Sequence, residues 1–192
     1  MDSQIEAGRR ATVHNACLAY QQGASYIVLT GNPMTKVANQ GIKNAISAIK
    51  DELGDNIAII AGKMHAAGVG KEAAGNLITE EDVQDFITAG ADVIMVPAPG
   101  TIPGIMPEFV RRLSEIVHLQ ERLLMTAIGT SQEGAELGTI QSIAMYSKMA
   151  GADIHHLGDA GYVGIAIPEN IMGYSIAIRG RRHTYRRMAM QS

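Results

Sequence analysis

Five ionisable side chains lie at the ends of apolar runs in this sequence, where a folded chain could bring them together. Lys63 and His65 follow one such run, and His155, His156 and Asp159 lie in and after another. A lysine in this position could form a Schiff base, act as a general base or anchor an anion. Histidines and a carboxylate could transfer protons to and from the same substrate. We therefore predict that these five residues form the catalytic group.

Structural roles are the alternative for the lysine and the histidines. Lys63 could be an exposed lysine at a strand end, held in a salt bridge. Side chains alternate along a strand, so Lys63 and His65 share a face only if the strand continues through them. His155 and His156 are adjacent in the sequence and must face opposite sides of a sheet. We expect the histidine that faces a helix layer to be structural, and the other to act in catalysis or ligand binding.

Glycine-rich segments after two of the apolar runs suit the binding of an anion. Their backbone N–H groups could donate to a phosphate, although the glycines could instead serve only to form tight turns. The residues predicted to bind the ligand are Asn32, Pro99, Gly100, Gly129, Thr130, Ser131, Glu133, Gly158 and Gly161. A metal site formed by His65, one of the paired histidines and Glu133 or Asp159 is conceivable, but no short ligand spacing supports it. The sequence does not identify a cofactor.

A repeated strand–helix unit is expected to position these residues. A Gly-Ala pair at positions 23, 90 and 151 opens three apolar runs, and two further runs lie midway between them. The spacing of about 30 residues is that of a strand followed by a helix. The predicted strands lie in the stretches 23–31, 57–62, 90–97, 123–129 and 151–161. The predicted helices are about Ser3–Gln22, Asn39–Leu53, Thr79–Gly90, Pro107–Gln120, Leu137–Ala150 and a last one from Pro168 that is broken near Gly180.

The pattern of the strands favours a barrel. The apolar runs are continuous rather than alternating, which is typical of parallel strands covered by helices. No Gly-x-Gly-x-x-Gly turn follows the first strand, so we predict an α/β fold of the (β/α)-barrel type, with five parallel strands and about six helices. Because a complete barrel has eight strands, residues 1–192 are expected to form a single (β/α) domain that lacks about three N-terminal strands. Active residues of such barrels lie at the carboxyl ends of the strands.

Composition limits the class of protein. Apolar residues make up 46% of the chain and charged residues 18%, which indicates a folded globular domain. The net charge of −3 argues against general nucleic-acid binding, and the arginines near the C-terminus are interpreted as a solvated helix face. Cys17 is the only cysteine, which excludes an intramolecular disulfide. The polar N-terminus and the lack of an apolar run of about 20 residues predict a cytoplasmic protein without a membrane segment.

Five longer motifs resemble a known family. They are Gly31-Asn32-Pro33, Ala61-Gly62-Lys63-Met64-His65-Ala66-Ala67-Gly68, Val96-Pro97-Ala98-Pro99-Gly100-Thr101, the segment from Met125 to Gly134, and the segment from Ala152 to Tyr162. The chain resembles the C-terminal part of a bacterial TIM-barrel family whose members are often labelled phosphoenolpyruvate phosphonomutase-like or haloacid dehalogenase-like. The resemblance implies the barrel fold rather than a reaction. The acidic, metal-binding motifs of true phosphonomutases would lie in early strands, and none occurs in this sequence.

We expect a lyase or isomerase type of enzyme that acts on or binds a small phosphorylated or carboxylated carbonyl compound. The alternative is a catalytically silent barrel fragment, or a regulatory barrel that binds a ligand without turnover and works by association. The expected partner is a small anionic metabolite. We do not expect binding to nucleic acid or to a membrane. Five strands leave open sheet edges and uncovered apolar faces, which favour a homo-oligomer or pairing with a missing N-terminal barrel segment.

Overall fold

Five parallel strands form one sheet in the order β1-β2-β3-β4-β5, which curls into a half-barrel. The computed structural model describes residues 5–31, 35–72, 76–159 and 164–190. The strands are β1 (Tyr26–Leu29), β2 (Ala58–Gly62), β3 (Val93–Pro97), β4 (Leu123–Ile128) and β5 (Ile154–Leu157). All five predicted strands are present and parallel, so the predicted fold class is confirmed.

Six α-helices pack around this sheet within the described parts of the chain. They are α1 (Val13–Gln21), α2 (Asn39–Leu53), α3 (Glu80–Ala89), α4 (Pro107–Leu119), α5 (Leu137–Met149) and α6 (Pro168–Ala189). Local signals set their ends: Thr79 and Asp82 form a capping box at the start of α3, and Gly90 closes it in the left-handed conformation. None of the helices in the described ranges combines the length and apolar character needed to cross a bilayer.

The segment before α1 differs from its prediction. We predicted one helix from Ser3 to Gln22, but among the described residues the regular helix begins at Val13. The Thr12 hydroxyl accepts a hydrogen bond from the Asn15 N–H and caps the helix there. The Asn15 side chain also donates to two carbonyl oxygens of residues 5–12, which we call the N-terminal strap. This local hydrogen bonding competes with a longer helix.

The two faces of the sheet have different surroundings. One set of alternate strand residues, such as Ile59, Ile94 and Leu124, packs against the helices in the main core. The other set lines the concave face of the half-barrel and includes Met95 and Met125. Because side chains alternate along each strand, this assignment fixes the direction of every candidate residue inside a strand.

The repeated Gly-Ala-Asp openings of β3 and β5 have a structural role. The Asp92 carboxylate accepts a hydrogen bond from the Ile59 N–H at 2.9 Å, and the Asp153 carboxylate accepts one from the Leu124 N–H at 2.8 Å. Each aspartate therefore ties the start of its strand to the preceding strand. Both lie at the amino end of the sheet, the end that serves stability rather than chemistry in barrels.

One glycine allows β2 and β3 to approach closely. A Cβ atom added to Gly62 would lie 1.8 Å from the carbonyl oxygen of Met95, which is far inside van der Waals contact. Gly62 is the last residue of β2, directly before the candidate catalytic lysine. The glycine therefore sets the geometry of the strand end from which Lys63 departs.

Helix α6 reverses direction near its middle. Gly180 has φ 77° and ψ 162°, which breaks the helix at the residue where the sequence predicted a break. The hydroxyl groups of Ser175 and Thr184 lie 3.0 Å apart, although nine residues separate them. In a straight helix nine residues would span roughly 13 Å, so the two halves of α6 fold back on each other.

Candidate active site

Lys63 lies at the carboxyl end of β2 and is completely enclosed. None of its side chain is exposed, and its ammonium forms an ion pair with the carboxylate of Glu72. A Cβ atom added to Gly31, just after β1, would lie 3.5 Å from Cε of Lys63. The lysine stem is therefore packed between the end of β1 and the loop after β2. The alternative of an exposed strand-end lysine in a salt bridge is wrong about the exposure, whereas the salt bridge is present.

Glu72 connects this lysine to a helix. Its other carboxylate oxygen accepts a hydrogen bond from the backbone N–H of Asn39, the first residue of α2, at 3.2 Å. A carboxylate at a helix N-terminus is stabilised by the unpaired N–H groups and the helix dipole. Glu72 thus holds its negative charge between a lysine and a helix N-terminus.

His65 is half-buried in the same loop. Its Nδ1 accepts a hydrogen bond from the Ala67 N–H at 3.2 Å, which defines the tautomer with the proton on Nε2. Burial lowers the pKa of His65, the ammonium of Lys63 lowers it further, and a backbone hydrogen bond raises it. His65 is therefore a neutral imidazole at neutral pH.

His155 and His156 face opposite sides of β5, as their adjacency required. His155 points into the helix layer, where its Nδ1 lies 2.9 Å from the hydroxyl of Tyr174 and 3.5 Å from that of Thr126. Its ring is tilted against the Tyr174 ring, with 5.3 Å between the ring centres. Burial lowers the pKa of His155 and raises the pKa of Tyr174. His155 has the contacts of the structural histidine that we expected on the helix side.

His156 lies on the concave face and is exposed. Partial desolvation lowers the pKa of His156, and the carboxylate of Asp159 opposes this shift. The Asp159 carboxylate also accepts a hydrogen bond from the Gly164 N–H at 2.9 Å. His156 and Asp159 are therefore neighbours on the open side of the sheet, where a ligand could reach the imidazole.

The loops after β4 and β5 meet each other. A Cβ atom added to Gly158 would lie 1.9 Å from an oxygen of the Glu133 carboxylate, so this carboxylate lies directly against Gly158. In the same way, the side chain of Met64 covers Gly129. At Gly158 and Glu133, the segments that follow β5 and β4 are therefore in contact at the carboxyl end of the sheet.

Several N–H groups in these loops already have partners. The Gly158 N–H donates to the carbonyl of Ile128 at 2.9 Å, and the Glu133 N–H donates to that of Thr130 at 3.0 Å. The Thr130 hydroxyl donates to the Gln132 side chain at 2.6 Å, and Ser131 begins a short 3₁₀ turn. Gly158 and Glu133 are therefore not free N–H donors for an anion.

The remaining predicted ligand residues lie in different places. Pro99 and Gly100 belong to the turn after β3, in which the Gly100 N–H donates to the Ile105 carbonyl at 3.2 Å. Gly100 has φ 89°, which a residue with a side chain rarely adopts. Asn32 and Gly161 lie outside the described residues.

A metal site is not formed by the side chains that the structure describes. Within residues 5–31, 35–72, 76–159 and 164–190, no three His, Cys, Asp or Glu side chains are grouped closely enough to hold a metal ion. His155 is also turned away from His156 by the alternation of β5.

Two residues of this region, Glu72 and Tyr174, were not predicted from the sequence. Glu72 lies nine positions after Lys63 in a glycine-rich loop. This short separation between a carboxylate and a strand-end lysine was the signal that could have predicted the ion pair. Tyr174 lies on α6 far along the chain, and no sequence spacing indicates its contact with His155. Long-range contacts of this kind depend on the packing of α6 against α5, which the local sequence does not encode.

The fold and this arrangement define an α/β protein of the (β/α)-barrel type with a buried lysine–glutamate pair at the carboxyl end of its sheet. The chain belongs to the family described as domain of unknown function DUF7916, whose model matches residues 1–192. No functionally curated protein matches the chain. The family and the barrel fold are thus supported, whereas a phosphonomutase or dehalogenase family is not.

Among solved structures, the chain is similar to a protein from Burkholderia cenocepacia J2315 described as a "putative lyase/mutase". The TM-score is 0.66 and the sequence identity 14%, so the similarity concerns the fold alone. The match covers 89% of this chain and 63% of that protein, so this chain spans less than two thirds of the other protein's length.

Proposed function

We propose that this chain contains the catalytic end of a lyase- or isomerase-type barrel enzyme that acts on a small carbonyl compound carrying a carboxylate or phosphate. The barrel fold and the structural similarity to a protein described as a "putative lyase/mutase" support the class of enzyme. In barrels of this type the reacting groups lie at the carboxyl ends of the strands. Lys63, His65, His156 and Asp159 are the residues that we assign to this end.

The buried ion pair of Lys63 and Glu72 is the observation that carries the proposal. Enclosing two charges costs more free energy than a hydrophobic pair of similar size would, so such a pair is seldom needed for stability. A buried charge pair at the carboxyl end of a barrel sheet, where active residues lie, therefore points to chemistry. The carboxylate of Glu72 is placed to accept the proton that Lys63 must lose before it acts as a base or nucleophile.

The other residues divide into acid–base and structural groups. His65 is neutral and can accept a proton beside Lys63, while His156 with Asp159 can act from the concave face. His155 is assigned to the support of β5 through Tyr174, not to catalysis. The segment Gly129-Thr130-Ser131 remains our proposed position for the anionic group of the substrate.

Exchange of substrate protons for deuterium at the carbon next to a carbonyl group tests the proposal. A panel of 2-oxo acids and phosphorylated ketones is incubated with the protein in D₂O, and ¹H NMR follows the loss of the proton α to each carbonyl. We expect exchange with at least one compound, abolished in Lys63→Met/Glu72→Gln and retained in Lys71→Gln. Reduction with borohydride then separates the two roles of Lys63, because only a Schiff base gives a covalent adduct. Exchange that is absent, or equal in the double variant, would refute the proposal.

A barrel without turnover is the second candidate, and the enclosure of Lys63 favours it. The side chain has no exposed surface, so a substrate reaches it only if the loop around Glu72 opens. If no compound exchanges while Lys63→Met/Glu72→Gln folds normally, a role through association becomes the better description.

A further inference from the structure

A groove runs along the outer edge of β1. It has a volume of about 370 Å³ and lies between β1, α2 and the N-terminal strap. The consecutive residues 27–30 line one wall, and apolar side chains of α2 such as Ile42 and Ile49 line another. We call this feature the β1 groove. Its volume is within the range of pockets that bind ligands or peptide side chains.

The main chain of β1 presents unused hydrogen-bonding groups to this groove. Among the described strands, β1 is at the edge of the sheet and pairs with β2 alone. The carbonyl of Ser25 accepts from the Ala58 N–H of the β2 side at 3.1 Å. The groups of successive residues point to opposite sides of a strand, so those of Tyr26, Val28 and Thr30 point to the free edge. The buried hydroxyl of Thr30 also has no hydrogen-bond partner among the described residues.

The charged side chains among the described lining residues of the β1 groove are all positive. Arg9 and Arg10 of the N-terminal strap lie in its lining, and none of the described lining residues is an aspartate or glutamate. The strap is fixed in this place because Asn15 donates to the carbonyls of Ala7 and Arg10. An acidic group entering the groove would therefore meet ordered positive charge.

We propose that the β1 groove is a docking site for an extended peptide strand that carries apolar residues at alternate positions and a carboxylate at one end. Main-chain pairing with Val28 and Thr30 would supply affinity, the α2 wall would receive the apolar side chains, and Arg9 would bind the carboxylate. A second copy of this chain fits less well, because pairing of two β1 edges would bring both pairs of arginines together. A small amphipathic acid would leave most of the β1 main-chain groups unpaired.

Selection from a phage library of random heptapeptides tests the proposal on the purified chain. Val28→Pro is the disrupting variant, because proline at an edge position removes the outward N–H while the β2 ladder stays intact. We expect enriched peptides with alternating apolar residues and Asp or Glu. Their binding should weaken about tenfold in Val28→Pro, the effect of one lost hydrogen bond, and about threefold in Arg9→Gln. No enrichment, or equal enrichment on Val28→Pro, would overturn the proposal.

Amide exchange of the unmodified chain gives a readout that does not depend on any variant folding. With a selected peptide bound, ¹⁵N NMR should show slower exchange of the Val28 and Thr30 amides. The Ile27 amide, which faces β2, should be unaffected. Equal protection of the three amides would mean that the peptide stiffens β1 as a whole. That result would contradict strand pairing. Octanoate serves as a further probe: displacement of the peptide by octanoate without protection of Val28 would mean that the groove binds amphipathic acids instead.

Discussion

At the end of β2, a single lysine ties together three parts of the chain. Lys63 contacts the end of β1 near Gly31, pairs with Glu72 in the following loop, and through Glu72 reaches the first N–H group of α2. The Lys63 ammonium is fully enclosed and the Glu72 carboxylate is mostly shielded from water, so each charge depends on the other. Removing one partner leaves a buried charge without compensation, whereas neutralising both does not.

Lys63 and Glu72 should therefore be strongly coupled in stability. Lys63→Met alone is expected to lower the free energy of unfolding by about 3 kcal/mol, because the Glu72 carboxylate loses its partner. Glu72→Gln alone should also destabilise, since the ammonium is left enclosed. In Lys63→Met/Glu72→Gln much of the loss should be recovered, because Gln can still accept from the Asn39 N–H. Urea titration of the four proteins measures the coupling, and simple addition of the two single losses would contradict it.

The stability of the protein should fall on mild acidification because of its buried histidines. Burial lowers the pKa of His155 below the ordinary value of 6.5, so the folded state favours the neutral ring. The histidine then contributes stability above pH 6.5 that is lost as the pH falls towards the folded-state pKa. Partial desolvation lowers the pKa of His65 and of His156 in the same direction.

Urea unfolding at pH 7.5 and pH 5.5 measures this effect. We expect a lower free energy of unfolding at pH 5.5, and a smaller difference between the two pH values in His155→Gln. His14→Gln provides the control, because it removes an exposed imidazole outside the sheet. An unchanged difference in His155→Gln would show that this ring is not responsible.

At the scale of the elements, the backbone of β3 lies directly against Gly62 of β2. Gly62→Ala should destabilise the protein by about 3 kcal/mol, because the added Cβ would overlap the Met95 carbonyl and force the strands apart. Gly41→Ala in α2 is the matched control: nothing lies within 4 Å of its Cβ position, and alanine favours a helix by about 0.5–1 kcal/mol. Thermal unfolding should show opposite shifts for the two variants, and a similar small effect for both would disprove the close approach.

The sequence was sufficient for the elements whose signals are local. The capping box at Thr79, the proline at Pro107 and the glycine at Gly180 each act within a few residues, and the predicted helix boundaries agree there. The N-terminal strap was missed because its structure depends on Asn15 side-chain hydrogen bonds, which compete with the helical pattern. The pairing of Lys63 with Glu72 was missed because it depends on how a loop folds back over a strand end.

For the whole molecule, the sheet is open at both ends. Among the strands that the structure describes, β1 and β5 each have one neighbour, and on the concave face Tyr26 and Val28 are 59% and 45% exposed. Leu123 on the same face is also exposed. An apolar face and two unpaired strand edges favour association, because water satisfies the polar edges but not the apolar side chains. The positive β1 groove disfavours direct pairing of two β1 edges, so the concave face is the better candidate for contact between copies.

The chain should therefore form a dimer or larger closed oligomer through its concave face. Light scattering coupled to size exclusion, at about 1 to 100 μM protein, should give a mass above that of the single 20.4 kDa chain. Tyr26→Glu should shift this equilibrium to the monomer, because it places a charge in the contact that buries the ring. Tyr146→Glu is the control, since Tyr146 is similarly exposed on α5, away from the concave face. A monomeric parent protein over this range, or equal dissociation by both substitutions, would rule out association through the concave face.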